Sequence, residues 1–201
     1  MKLAAIDIGS NAVRLLISEV VEQAEENPDF IKTVLVRVPL RLGFDVFERG
    51  SISGKKAEQL VKTMQAYKLL LDVYGVRHLK ACATSAMRDA ANTQEVLQRI
   101  KTESGITVRV ISGEEEATLI YENHIADYMD AAESYLYIDV GGGSTELTFF
   151  SDGKLVFKKS FNIGTIRLLK DQVSADNWEE MKTYIRQKIK GHHHVTAIGS
   201  G

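Results

Sequence analysis

The sequence predicts an α/β protein built from two similar domains, and three observations lead to that prediction. Along residues 1–130, apolar runs and helical patterns follow the order β-β-β-α-β-α-β-α. After residue 130 the order begins again with three strands, followed by helical segments and a further strand. The two beginnings also align without a gap at an offset of 132 residues, which indicates a duplicated unit. We therefore expect a first domain over residues 1–130 and a second domain over residues 131–201.

The first predicted domain begins with three strands that we expect to pair as an antiparallel meander. A loop is expected over Leu40–Ser53, because this stretch contains Gly43 and Gly50. Ser53 can then cap a helix over Lys55–Tyr74. The other predicted elements are strands over Leu3–Ile8, Val13–Val21, Phe30–Val38, His78–Ala83 and Thr107–Ile111, a loop over Thr84–Arg88, a helix from Asn92 or Thr93 to Glu103, and a helix from Ser112 to Met129.

The second predicted domain repeats this beginning. Its predicted elements are strands over Tyr135–Val140, Glu146–Phe150 and Lys154–Phe161, helices over Gly164–Lys170 and Ala175–Lys190, and a strand over His194–Ile198. It has one strand fewer than the first domain and closes on an expected turn at Gly199-Ser200-Gly201. We therefore expect the second domain to be truncated at its C-terminus.

The composition is that of a globular protein. Among 201 residues, 44% are hydrophobic and 26% are charged, and the formal net charge is −2. Nucleic-acid-binding proteins usually carry a basic excess, so no nucleic-acid partner is expected. Cys82 has no second cysteine with which to form a disulfide, which fits a reducing cytoplasm. No apolar run is long enough to span a bilayer, so no membrane partner is expected.

A glycine-rich hairpin around residues 138–146 is the strongest functional signal in the sequence. Two apolar strands enclose three glycines and two hydroxyl residues, namely Gly141, Gly142, Gly143, Ser144 and Thr145. Glycines allow backbone N–H groups to approach an anion closely, and hydroxyl groups add donors. Asp139 and Glu146 flank the tip, as a pair that binds a metal ion or orients water would. An ordinary glycine-rich hairpin is the alternative for this segment taken alone.

The gapless alignment places a second turn of the same kind near the N-terminus. Asp7 corresponds to Asp139, and Gly9, Ser10 and Asn11 correspond to the three glycines. Each copy has an apolar strand, one aspartate at its end, a turn of small residues and a returning strand. Two such hairpins facing each other could clamp one phosphate group. Chance similarity of two short turns is the alternative, and the repeated order of strands and helices argues against it.

Four motifs in this order carry a resemblance to a known family. They are Asp7-Ile8-Gly9-Ser10-Asn11, Thr84-Ser85-Ala86-Met87-Arg88, Ile111-Ser112-Gly113-Glu114-Glu115-Glu116-Ala117 and Asp139-Val140-Gly141-Gly142-Gly143-Ser144-Thr145-Glu146. Together they resemble the exopolyphosphatase / guanosine pentaphosphate phosphatase family, which belongs to the superfamily of actin, sugar kinases and heat-shock chaperones. The resemblance implies two ribonuclease H-like (actin-like ATPase) domains with mixed β-sheets.

The resemblance also implies an activity and a role for each motif. The expected reaction is metal-dependent release of the terminal phosphate of inorganic polyphosphate, or of the 5′ γ-phosphate of guanosine pentaphosphate. Glu116 would orient or deprotonate the attacking water. Asp139, Glu146 and Asp7 would bind Mg²⁺ or another divalent cation, or position water, and Arg88 would hold a phosphate oxygen. The remaining phosphate-binding residues would be Gly9, Ser10, Asn11, Gly141, Gly142, Gly143, Ser144 and Thr145. A homodimer is left open.

Two details of the motifs affect these roles. Ala12 stands where the family commonly has serine, so a hydroxyl contact to phosphate is lost and the first turn would bind through its backbone and Ser10. Glu114 extends the acidic run, so the choice between Glu115 and Glu116 depends on register. The alanine that follows Glu116 matches the motif, which favours Glu116.

Two other functions are compatible with the sequence. An ATPase or sugar kinase of the same superfamily would need an adenosine pocket, normally built in the second domain. A non-catalytic module that binds polyphosphate or alarmone would not need the complete carboxylate set, so the presence of Glu116, Asp139 and Glu146 favours an enzyme.

Overall fold

The structure, a computed structural model, describes residues 1–21, 28–124 and 133–200. The chain divides into two compact units, Met1–Val110 and Ile111–Gly201. The predicted domain boundary between residues 130 and 131 lies outside the described residues. The helix that follows Ile111 contacts strands of the second unit and is described with it.

The first unit contains a mixed five-stranded sheet. Strands β1 (Lys2–Ile8), β2 (Val13–Val21) and β3 (Asp29–Val38) form the expected antiparallel meander. Strands β4 (His78–Ala83) and β5 (Arg109–Val110) run parallel to β1 and give the order β3-β2-β1-β4-β5. The described helices of this unit are α1 (Leu42–Arg49), α2 (Gly54–Val73), α3 (Ser85–Asp89) and α4 (Thr93–Ser104).

Two segments predicted as loops are helical, so those predictions were wrong. Helix α1 lies within the predicted loop 40–53 and buries Leu42, Val46 and Phe47, whose spacing places them on one face. The glycines suggested a loop, but Gly50 ends the helix at φ 72° and does not interrupt it. Helix α3 occupies most of the predicted loop 84–88, because burial of its apolar residues stabilises a short helix.

Helix α2 confirms the most detailed helix prediction. The Ser53 hydroxyl accepts a hydrogen bond from the Lys56 backbone N–H at 3.4 Å, as an N-cap should. The buried face of α2 includes Leu60, Met64, Tyr67 and Leu71, which recur at helical spacing. The Tyr67 hydroxyl reaches β2 and donates to the Val13 carbonyl at 3.0 Å. This hydrogen bond joins the buried face of α2 to the sheet.

The second unit repeats the strand order of the first. Its described strands are β6 (Ser134–Val140), β7 (Thr145–Ser151), β8 (Lys154–Phe161) and β9 (Val195–Ser200), and its described helices are α5 (Gly113–His124), α6 (Thr165–Leu169) and α7 (Ala175–Lys188). Strands β6, β7 and β8 are antiparallel neighbours, β9 is parallel to β6, and the order is β8-β7-β6-β9. This order matches β3-β2-β1-β4 and supports the duplication inferred from the sequence.

The prediction of a turn at residues 199–201 was wrong for the first two of these residues. Gly199 and Ser200 continue β9 and lie beside Ile138 and Asp139 in the parallel register. Sheet pairing with β6 explains the difference, because it holds a glycine in an extended conformation that local sequence alone does not favour.

The two faces of the second sheet differ in character. One face carries an apolar cluster against α7, formed by Leu136, Leu147, Phe149, Phe157, Phe161 and Ile163 with partly buried Trp178, Met181, Tyr184 and Ile185. Directly opposed residues of antiparallel strands point to the same face, so Asp139 and Glu146 share the other face. Helix α5 packs against β7 and β8. Among the described helices, none has the length and apolar character needed to cross a membrane.

Tyr67 gives the fold a measurable pH dependence. Burial raises the pKa of Tyr67 from 10.0 to about 12. The folded protein therefore keeps the phenol protonated over a range in which the unfolded chain loses the proton. This contribution to the free energy of unfolding is complete below pH 10 and disappears as the pH rises to about 12. We expect a Tyr67→Phe variant to be less stable at pH 9, and the difference from the unsubstituted protein to narrow toward pH 12. Denaturant unfolding of both proteins across this range measures the effect, and parallel curves would contradict it.

Candidate phosphate-binding site

The two glycine turns have the same local geometry. In the first, the Gly9 N–H donates to the Ala12 carbonyl at 3.0 Å, and in the second, the Gly141 N–H donates to the Ser144 carbonyl at 2.9 Å. A Cβ atom at either glycine would lie 3.2 Å from that carbonyl oxygen. Both positions therefore favour glycine because of a close approach within the turn. The duplication extends from strand order to individual hydrogen bonds.

Helix α6 holds the carbonyl groups of the second turn. The backbone N–H groups of Thr165 and Ile166 donate to the carbonyls of Gly141 and Gly142 at 3.0 and 2.8 Å. The Arg167 Nε–H donates to the Gly143 carbonyl at 2.7 Å. Three successive carbonyl oxygens thus face three successive residues of α6.

This arrangement determines the direction of the amide donors. In a trans peptide the N–H group points opposite to the preceding carbonyl, and the chain has no cis peptide among the described residues. The N–H groups of Gly142, Gly143 and Ser144 therefore point away from α6. An anion bound on that side would meet amide donors, while the carbonyl oxygens that would repel it are engaged by α6.

The first turn is held in a comparable way by the start of α1. The Gly43 N–H donates to the Ser10 carbonyl and the Arg41 N–H donates to the Asn11 carbonyl, both at 2.8 Å. The hydroxyl groups of Ser10 and Ser85 are hydrogen-bonded at 2.7 Å, and both residues are buried. Ser85 lies within one of the four motifs, but the motif alone predicted no role for it. The signal that could have identified Ser85 is its place at the end of β4, beside the end of β1.

The hydroxyl residues of the second turn are also buried. The Thr145 hydroxyl donates to the Ile163 carbonyl at 2.6 Å, which anchors the start of β7 to the segment before α6. Ser144 is 2% exposed. The predicted phosphate contacts of Ser144, Thr145 and Ser10 stay predictions, while the structure shows that two of these side chains fasten the turns to neighbouring segments.

Asp139 and Glu146 are brought together as predicted. They are direct cross-strand partners close to the turn of the hairpin. The Asp139 Oδ1 atom accepts a hydrogen bond from the Ser200 hydroxyl at 2.7 Å, and the Glu146 Oε1 atom accepts one from the Ser160 hydroxyl at 2.8 Å. Carboxylates directly opposite each other repel when both are ionised, and the predicted role of this pair at a metal stays a prediction. Carboxylate oxygens are also the ligands that Mg²⁺ prefers.

Asp7 has a different electrostatic environment from its counterpart. Its cross-strand partner is Arg14, and the Arg14 Nη1 and Asp7 Oδ2 atoms are 3.6 Å apart. At the offset of 132 residues, Arg14 corresponds to Glu146. The first hairpin thus carries an ion pair where the second carries two carboxylates. Within the described residues, no group of three or more His, Cys, Asp and Glu side chains is arranged to hold a metal ion. The predicted role of Asp7 at a metal therefore stays a prediction.

Glu116 and Arg88 lie on helices of different units. Glu116 is in the first turn of α5, where the Ser112 hydroxyl accepts from the Glu115 N–H at 3.1 Å and the Ser112 carbonyl accepts from the Glu116 N–H at 2.9 Å. Ser112 therefore caps α5, and acidic side chains near the start of a helix suit its dipole. Arg88 lies in the last turn of α3. The catalytic role of Glu116 and the phosphate contact of Arg88 stay predictions.

Comparison with known proteins identifies the family. The model of the Ppx/GppA phosphatase family matches residues 12–196. The chain belongs to this family. The bifunctional 3-dehydroquinate synthase/phosphatase of Fusobacterium nucleatum is 31% identical over 93% of this chain and 30% of its own length. Exopolyphosphatase 1 of Mycobacterium tuberculosis is 30% identical over 88% of this chain and 50% of its own length.

A solved structure confirms the predicted fold class. An exopolyphosphatase from Cytophaga hutchinsonii superimposes with a TM-score of 0.78 and 27% identity, over 100% of this chain and 67% of that chain. The two mixed sheets of the Ppx/GppA chain are therefore the expected ribonuclease H-like, actin-like arrangement. The chain spans from about a third to half of the length of the two curated relatives.

The geometry of the second turn depends on Gly164, a residue to which the sequence motifs assigned no role. A Cβ atom at Gly164 would lie 2.5 Å from both the Gly142 carbonyl oxygen and the Gly143 carbonyl carbon. We expect Gly164→Ala to lower the free energy of unfolding by about 1–3 kcal/mol, because the turn and α6 must separate. Gly54→Ala is the matched control, since a Cβ there meets nothing within 4 Å. Denaturant unfolding of both variants tests the expectation, and equal stability would contradict it.

Proposed function

We propose that the protein of this Ppx/GppA chain is a phosphohydrolase that releases the terminal phosphate of inorganic polyphosphate. The observation that carries the proposal is the orientation of the second glycine turn, whose carbonyls are bound to α6 while its amide donors point away. Two facing carboxylates stand beside those donors. Phosphoryl transfer requires positioned donors and charge neutralisation more than covalent catalysis, and this turn supplies groups suited to both tasks.

Each residue has a distinct part in the proposed reaction. Asp139 and Glu146 would hold Mg²⁺ or another divalent cation, which would neutralise charge on the phosphate oxygens. Amide groups of residues 142–144 would bind the terminal phosphate. Glu116 would accept a proton from the attacking water, and Arg88 would donate hydrogen bonds to a phosphate oxygen. The released product is then orthophosphate and a chain shortened by one unit.

The identity of the substrate rests on the family and its relatives. The M. tuberculosis relative is named an exopolyphosphatase, which favours polyphosphate as the principal substrate. The 5′ γ-phosphate of guanosine pentaphosphate presents the same terminal phosphoanhydride and is the second substrate to assay. The family match favours a phosphohydrolase over the ATPase or sugar kinase that the sequence left open.

The proposed base can be tested by one substitution in the first turn of α5. We expect Glu116→Gln to lower the rate of phosphate release from polyphosphate at least 100-fold, since a general base contributes about 10²–10⁴-fold. Glu114→Gln is the matched control because Glu114 is an exposed acid of the same turn. A Glu115→Gln variant resolves the register question. Colorimetric phosphate assays of the full protein with Mg²⁺ give the rates, and activity in Glu116→Gln equal to that of the control would rule out this assignment.

The proposed cation can be tested by chelation and by its carboxylates. We expect removal of divalent cations to abolish phosphate release and added Mg²⁺ to restore it. Asp139→Asn should raise the Mg²⁺ concentration needed for half-maximal release, because one charged oxygen ligand becomes neutral. Asp152→Asn is the control, since Asp152 lies in the turn between β7 and β8 at φ 53°, a conformation that asparagine tolerates. Full activity in chelator would refute the requirement for a cation.

A further inference from the structure

Four polar residues form a row across the second sheet at the level of the two carboxylates. Register pairs Ser160 with Glu146, Glu146 with Asp139, and Asp139 with Ser200, so each strand contributes one residue. Because residues paired in register share a face, all four side chains lie on the same side of the sheet. The two carboxylates occupy the central strands, and the two serines occupy the outer strands.

Burial distinguishes Glu146 within this row. Glu146 is only 3% exposed, so water cannot easily supply the hydrogen bonds that its carboxylate needs. The Ser160 hydroxyl donates to Glu146 Oε1 at 2.8 Å from the strand on the side away from Asp139. That bond fixes the position of one carboxylate oxygen of Glu146. Ser160 lies outside the four sequence motifs.

We propose that Ser160 is a positioning residue that fixes the orientation of the Glu146 carboxylate for cation binding. The inference rests on the proposed function, in which Glu146 holds a divalent cation. Hydrogen bonds to the ligands of a metal determine how those ligands are oriented, and their loss typically reduces metal affinity by about 10–100-fold. Ser160 acts through Glu146 and touches neither substrate nor metal in this proposal.

The test compares variants that keep or remove the hydroxyl group. Ser160→Ala removes it, while Ser160→Thr retains it on a β-branched side chain that suits a strand. Ser134→Ala is the matched control, because the buried Ser134 hydroxyl is hydrogen-bonded to Ser151 at 3.0 Å at the other end of β6 and β7. It removes a hydroxyl of equal size from the same sheet without changing a carboxylate.

Mn²⁺ binding to the full protein is the decisive measurement, followed through the loss of the paramagnetic resonance signal of free Mn²⁺. We expect Ser160→Ala to weaken Mn²⁺ binding about 10–100-fold. Ser160→Thr should bind within about threefold of the unsubstituted protein, and Ser134→Ala should bind normally even where thermal unfolding shows that it is less stable. Mg²⁺-dependent phosphate release is measured in parallel on the same proteins.

The outcomes separate this inference from the proposed function. Unchanged Mn²⁺ affinity in Ser160→Ala, with an active unsubstituted protein, would overturn the positioning role alone. Equal weakening in Ser160→Ala and Ser134→Ala would also overturn it, because the effect would then follow general stability. An unsubstituted protein that neither binds Mn²⁺ nor releases phosphate would overturn the proposed function and this inference together.

Discussion

The close approach of Gly164 to Gly142 and Gly143 is the contact on which the second glycine turn depends. Only a residue without a side chain permits it, because a Cβ would lie within 2.5 Å of backbone atoms. This proximity allows residues 165–167 to reach three successive carbonyls. Each such hydrogen bond contributes about 0.5–1.5 kcal/mol, and together they fix the direction of every peptide in the turn. In the proposed function, the terminal phosphate would therefore meet donors that are already oriented, with little reorganisation on binding.

The duplicated units show which parts of this arrangement are general and which are particular to one copy. Both turns close with a bond from the glycine N–H, and both have carbonyls bound by the segment that begins the next helix. The charges differ, because Asp7 faces Arg14 whereas Asp139 faces Glu146. The first hairpin has an ion pair at this position, and the second has two carboxylates. The same fold thus presents two electrostatically distinct hairpins.

The sequence predicted the parts of the site that are local in the chain. The glycines, Asp139 and Glu146 all lie in a short motif with recognisable spacing. It did not predict Gly164, Arg167 or Ser160, since each acts on a turn or strand that is distant in sequence and no periodicity marks such a contact. Helix α1 was missed for a related reason. Its stability comes from burial of Leu42, Val46 and Phe47, which outweighs the local preference of the neighbouring glycines.

The facing carboxylates connect the stability of the second unit to its proposed chemistry. Two carboxylates on opposed strands repel each other when both are ionised, and the burial of Glu146 reduces the solvent screening of that repulsion. A divalent cation would remove that repulsion, so its binding would stabilise the folded chain by mass action. The hydroxyls of Ser160 and Ser200 already hold one oxygen of each carboxylate. Binding would then require little further ordering of the two side chains, which leaves more of the interaction free energy available for affinity.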